Sequence, residues 1–274
     1  MDIDPLAADS AAPRHAIESD DEEDEYNPLN EPTQPIPSVD VQLVGLQPTT
    51  TLLVATGDAA KVWARGANLG EQVGAAYVNK IQVGLVFNPS WTKCSILVSE
   101  ATTRLPLWAM RPYARAILEL VNPQTLVLLD EYAVHSYISD TRIRVADAPL
   151  RFLTTAAPPG FLTHTAEPFS PPNLIQSASA AFVAQQAEQF KSAALLLVPA
   201  PSIPAPAPRT LASTSLARLE NTAPFDPEHL RVAHNLLAKL VGDASSAPWT
   251  TPPPEKPSAT RARPETDAEL SMYI

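Results

Sequence analysis

The stretch "PYARAILELVNPQTLVLLDEYAVHSY" (residues 112–137) sets two periodicities side by side. Its first part spaces Tyr113, Ile117, Leu120 and Val121 along one stripe of a helix, which Asn122 and Pro123 then end. Its second part, "TLVLLD" from Thr125, is apolar from Leu126 to Leu129, without the alternation of a half-exposed strand. A helix that runs straight into a doubly buried strand predicts a sheet covered by helices on both sides.

Working outward, the same signature recurs. "SILVS" from Ser95 and "ALLLVP" from Ala194 are again apolar on both faces, and "SASAAFVAQQAEQF" carries Ala178, Phe182 and Phe190 ahead of the latter as a covering helix. "VQLVGL" and "TLLVA" flank the turn-prone "QPTT", and "IQVGLVF" precedes "NPSWTKC", so strands open the domain. In "FDPEHLRVAHNLLAKLVG", Asp226 suits the N-cap, Pro227 the first helical position and Gly242 the C-terminal cap, while Phe225 and Leu230 form a hydrophobic staple. Leu230, Ala233, Leu237 and Leu240 make the buried stripe of that helix. The expected fold is a single α/β domain, a three-layer sandwich on a largely buried mixed sheet with right-handed crossovers.

The expected boundaries are an acidic arm over residues 1–40, the α/β domain over 41–243 and a tail over 244–274. Two proline-rich segments, 156–173 and 199–209, are expected to run over the surface, since proline denies a sheet or helix its donor. At 274 residues, 45% hydrophobic and 18% charged, the chain has enough apolar residues for a sizeable core. Twelve acids and the single base Arg14 precede residue 41, a net charge of -11 that equals the charge of the whole chain. All of the imbalance therefore sits in the arm, around "ESDDEEDEYNPL", where Ser19 followed by Asp20, Asp21 and Glu22 suits phosphorylation by an acid-directed kinase. An acidic arm on a neutral body does not fit nucleic acid, whose phosphates need a basic footprint. One cysteine, Cys94, excludes an internal disulfide and a cysteine-rich zinc site. "MDIDPLAADS" lacks the basic and apolar regions of a secretory signal, and no run of about 18 apolar residues follows, so the expectation is a soluble cytoplasmic or nuclear protein with no membrane partner.

No catalytic motif is present: there is no phosphate-binding glycine loop, no G-x-S-x-G elbow and no H-E-x-x-H. His229 and His234, five residues apart on one helix, are too far around it to share a metal and read as surface or boundary residues. No cofactor or metal is expected. The enzyme-like alternative is a site at "DEYAVHSY", where Asp130, Glu131, Tyr132 and His135 follow a buried strand, the end of an α/β sheet at which ligands bind. Adjacent side chains on a strand point to opposite faces, which argues against a shared acid and base there.

The chain closes on "ELSMYI" behind residues 245–270, which are crowded with proline, serine, threonine and charge. Met272, Tyr273 and Ile274 thus offer an adaptable apolar side chain, an aromatic with a hydroxyl, and a carboxylate to a partner. The order hydrophobic, tyrosine, any residue resembles the HbYX motif with which proteasome activators and assembly chaperones dock between α subunits of the proteasome core particle. A PDZ domain would read the same tip through Met272 and Ile274, which makes an interaction scaffold a further alternative. Together with the acidic arm and the α/β domain, the tip resembles the proteasome assembly chaperone family. That resemblance implies a heterodimer with proteasome assembly chaperone 2, a purine nucleoside phosphorylase-like architecture and no enzymatic activity. It also implies binding of Met272, Tyr273 and Ile274 to α-ring pockets, which promotes ring assembly and keeps activators off immature particles.

Overall fold

The computed structural model describes residues 37–139, 141, 143–213, 225–242 and 248–252. Ser19, Met272, Tyr273 and Ile274 lie outside them, as do residues 1–36 of the acidic arm and most of the tail.

Among the described residues nine strands form one mixed sheet, in chain order β1 (Val41–Val44), β2 (Thr51–Ala55), β3 (Gln72–Val78), β4 (Ile81–Phe87), β5 (Ser95–Val98), β6 (Thr125–Ala133), β7 (Arg151–Thr154), β8 (Glu167–Pro168) and β9 (Ser192–Ala200). Across the sheet they run β1-β3-β4-β5-β2-β6-β9-β7-β8. The centre, β5-β2-β6-β9, is parallel, and β1-β3-β4-β5 on one side is antiparallel. Beyond β9, β7 is antiparallel to it and β8 parallel to β7. Among the described residues the helices are α1 (Gly57–Gly66), α2 (Leu107–Val121), α3 (Gly160–Thr163), α4 (Ala178–Glu188) and α5 (Pro227–Leu240). None is long and apolar enough to cross a membrane among the described residues.

Alternation along each central strand sorts the core into two layers. Leu52 and Val54 of β2, Leu126 and Leu128 of β6, and Leu195 and Leu197 of β9 face α2 and α4. Their neighbours Leu53, Val127, Leu129, Leu196 and Val198 face α1 and α5. The first layer centres on Tyr113, which is fully buried and meets the Phe182 ring edge-on at 6.0 Å between centroids. The second centres on Trp63 of α1, packed against His234 of α5. This is the doubly covered mixed sheet expected from the sequence, and α5 begins and ends where its caps place it, with the Asp226 side chain accepting from the Glu228 amide at 2.9 Å.

Several expectations are corrected. α2 starts at Leu107 rather than Pro112, because Ala109 and Met110 bury apolar surface in the added turn; Pro112 sits inside the helix at the cost of one backbone hydrogen bond. Leu120 is 43% exposed, since the packed stripe continues through Leu118 and Val121 instead. Phe190 lies beyond the end of α4, is 99% exposed and has φ +55°, so it belongs to no buried stripe. His234 is not a surface residue: it is fully buried, four positions after Leu230 on the packed face, and its Nδ1 accepts from Trp63 Nε1 at 3.3 Å. The segment 156–173 contains α3, buried Leu162 and Ala166, and β8, while Pro199 and Ala200 end β9. Pro199 is tolerated there because β7 pairs with β9 only as far as Leu197. Trp249, within the stretch read as tail, is buried and donates from Nε1 to the Trp63 carbonyl at 3.0 Å, and Gly66 gives it room.

Candidate functional site

β2 leads into α1 on one face of the sheet and β5 leads into α2 on the other, so their C-terminal ends part and leave the crevice in which open α/β sheets place ligands. Six residues from three adjacent strand ends converge there: Thr56 and Gly57 after β2, Ser99 and Glu100 after β5, and Asp130 and Glu131 in β6. Gly57 has φ +78°, and a Cβ on it would stand 3.0 Å from the Asp130 carboxylate and 3.2 Å from that of Glu131. The turn therefore both needs glycine and presses it against the acids.

Asp130 and Glu131 leave the strand in opposite directions, as alternation requires. Asp130 accepts from Ser177, the residue preceding α4, and from the Glu131 amide at 2.8 Å; the hydroxyls of Thr56 and Ser179, 2.7 Å apart, also face it. Glu131 turns to the other face and accepts from the Ala59 amide in the first turn of α1 at 2.7 Å, a placement the helix dipole favours. Glu100 folds back onto its own loop and accepts from the Leu105 amide at 2.7 Å. Beneath it, Ser99 donates to the Tyr113 hydroxyl at 3.2 Å.

Burial dominates the acid strength of all three carboxyls. It pushes Glu100 and Glu131 up to about 7, the Asp130 charge adding to both, and it raises Asp130 against the lowering effect of its hydrogen bonds. Burial therefore favours the protonated form of all three carboxyls relative to exposed ones. Each carboxyl also accepts at least one hydrogen bond from a different connection, so the cluster ties the start of α1, the loop before α2 and the start of α4 to the sheet.

The enzyme-like stretch does not converge as a set. Tyr132 donates its hydroxyl to the Pro149 carbonyl at 2.7 Å and stacks edge-on against Tyr137, while His135 is exposed in the 3-10 turn Val134–Ser136. Among the described residues, no three or more of His, Cys, Asp and Glu are grouped to hold a metal ion. Sequence reasoning located Asp130 and Glu131 but missed Glu100, Thr56, Ser177 and Ser179. The pairing of β5, β2 and β6, together with the packing of α4 on the sheet, brings these positions, up to 123 residues apart, into one crevice.

The molecule thus defines an α/β domain with a crevice of three hydrogen-bonded carboxyls at its topological switch point. No family model matches the chain, and no curated protein matches it in sequence. Solved structures with a similar arrangement include PbaA of Pyrococcus furiosus, described as an archaeal homolog of proteasome-assembly chaperone, at TM-score 0.49 and 10% identity over 74% of this chain and 82% of that one. PbaB of the same organism, described as an archaeal proteasome activator, gives TM-score 0.47 and 8% identity over 74% and 89%. A PAC2 family protein from Streptomyces avermitilis gives 0.39 and 12% over 72% and 88%.

Proposed function

We propose that the chain is a proteasome assembly chaperone subunit, of the fungal proteasome assembly chaperone 1 type, that binds the α ring of the core particle through its C-terminal tip. The observation that carries this reading is the tripeptide Met272, Tyr273 and Ile274 behind a proline-rich, charged stretch, taken with Ile274 as the free carboxyl end. In an α-ring pocket the carboxylate pairs with a lysine, the Tyr273 ring packs and its hydroxyl finds an acceptor, and Met272 fills an apolar site. The crevice favours a binding role over catalysis, since its carboxyls serve as ties between the chain's own elements. On this reading the partners are proteasome assembly chaperone 2, as heterodimer, and α subunits, in the cytoplasm and nucleus. The acidic arm steers association toward a basic region of the ring, and phosphorylation of Ser19 strengthens that steering.

Affinity capture of the full chain, read by mass spectrometry, should enrich α subunits and a second chaperone subunit. Tyr273→Ala, and separately one residue added after Ile274, should each weaken α-ring binding about thirtyfold or more, about 2 kcal/mol, while Ile274→Ala costs far less. The reverse order, with Ile274→Ala decisive and Tyr273→Ala harmless, would refute this reading and support a PDZ-read tip.

A further inference from the structure

On the face of the sheet that carries α1, the flank of that helix and the strands beside it enclose a pocket of about 500 Å³. Its walls are apolar, with Leu69, Leu85, Phe87 and Val98, and its cationic rim is Lys61 and Arg65 on α1. These two basic residues are four apart and so share one side of the helix. Lys61 also bridges to Asp58 at 2.9 Å, a pair that an incoming carboxylate would have to share. Leu85 and Phe87 are only half-buried although they belong to the sheet, so among the described residues no element covers this apolar surface.

The tail departs from beside this pocket. Trp249 is buried against Trp63, and the Thr250 amide donates to the Gly66 carbonyl at 3.0 Å, within one turn of Arg65. From Pro252, the last described residue, 22 positions remain to Ile274, and a flexible chain of that length spans roughly 25 Å. Its last part, "PETDAELSMYI", carries Glu265, Asp267 and Glu269 with no base after Arg263, and it ends in Leu270, Met272, Tyr273 and Ile274. An acidic segment with an apolar tip complements an apolar pocket with a cationic rim.

We propose that the chain's own tip occupies this pocket in cis, with Met272 and Tyr273 against Leu85 and Phe87 and the terminal carboxylate at Lys61 and Arg65. The inference rests on the reading of the tip as a binding element and adds a regulation to it: the tip that reaches for a partner is held on its own domain until a better pocket competes. A tether of this length gives an effective concentration on the order of millimolar, so even a weak site is filled.

A spin label placed at Ala268→Cys of the full chain tests it by NMR, with the unsubstituted chain treated alike to account for Cys94. The amide signals of residues 68–70 and 85–87 should lose more than half their intensity, and Lys61→Glu with Leu85→Glu should restore them while the remaining amide spectrum is unchanged. Should that double variant unfold, added peptide of residues 264–274 gives the same test, restoring the signals with a free carboxylate and failing to do so when amidated. Broadening elsewhere, none at all, equal competition by the amidated peptide, or broadening carried from labelled to unlabelled copies in a mixed sample would each overturn the proposal. In the full chain, Leu85→Glu should raise apparent affinity for α rings roughly three- to tenfold by releasing the tip. Capture of α rings by the immobilised tip peptide separates the two readings, since it needs no pocket. If the peptide fails there while the broadening holds, the chaperone reading falls and this inference stands; the opposite pair of results sinks only this inference.

Discussion

The parallel centre of the sheet and its antiparallel flank are built from similar residues but end in different states. β2, β5, β6 and β9 are buried on both faces, under α2 and α4 on one side and α1 and α5 on the other. In β4, Val83 and Val86 are buried in the α2 layer, whereas Leu85 and Phe87 on the other side remain half-exposed and line the pocket. The difference follows from connectivity. Parallel neighbours need crossovers, and a crossover brings its own covering helix, whereas β3, β4 and β5 follow one another as antiparallel neighbours without one. Covered strands carry stability here, whereas among the described residues the Leu85 and Phe87 side of β4 lies under no helix.

Core truncation sharpens that contrast most. Leu128→Ala, in a fully buried position of β6, should cost about 2–5 kcal/mol in urea unfolding, and a cost under about 1 kcal/mol would break the claim that the centre carries the fold. The carboxyl crevice should make the centre sensitive to pH. Glu100 and Glu131 rise from 4.5 to about 7 in the folded protein, so between those values the native state keeps protons that the unfolded chain has lost. Their contribution to stability is full below about 4.5 and is lost as pH rises to about 7, by about 3 kcal/mol for each. Glu100→Gln should remove its share of that slope in melts recorded from pH 4.5 to 8; an unaltered slope would mean that Glu100 ionises freely.

Smaller effects belong to the periphery. Phe190→Gly should stabilise by about 1 kcal/mol, since glycine takes the left-handed backbone at φ +55° without strain and no packing is lost from a ring that is 99% exposed. A lower melting temperature would show that the ring contributes a contact. Leu85→Ala should cost under about 1 kcal/mol, far less than Leu128→Ala, because among the described residues its side chain is only half-buried. Equal losses at the two leucines would erase the distinction between centre and flank.

The legible parts were those with strong local signals. The runs that became β2, β5, β6 and β9, and the capped helix α5, could be read because doubly apolar runs and the Asp226, Pro227 and Gly242 punctuation act within a few residues. α1 escaped notice, although "GDAAKVWARG" begins with Gly57 and Asp58 and buries Ala59, Ala60 and Trp63 along one side. Phe190 shows the opposite error, an apolar residue at helical spacing that the helix ends too soon to use. In the crevice, Asp130 and Glu131 were visible as acids after a buried strand, but their partners were not, because Ser177 is tied to Asp130 across 47 positions and Ala59 to Glu131 across 72.

What the sequence determined by itself is the class of fold, through the apolar runs and helical stripes that require a sheet covered on both faces. Strand order, the burial of His234 between Trp63 and Trp91, the docking of Trp249 on α1 and the gathering of Glu100, Asp130 and Glu131 were decided only in three dimensions. Local propensity acts over a few neighbouring residues, whereas pairing and packing bring together groups whose separation along the chain carries no signal of their contact.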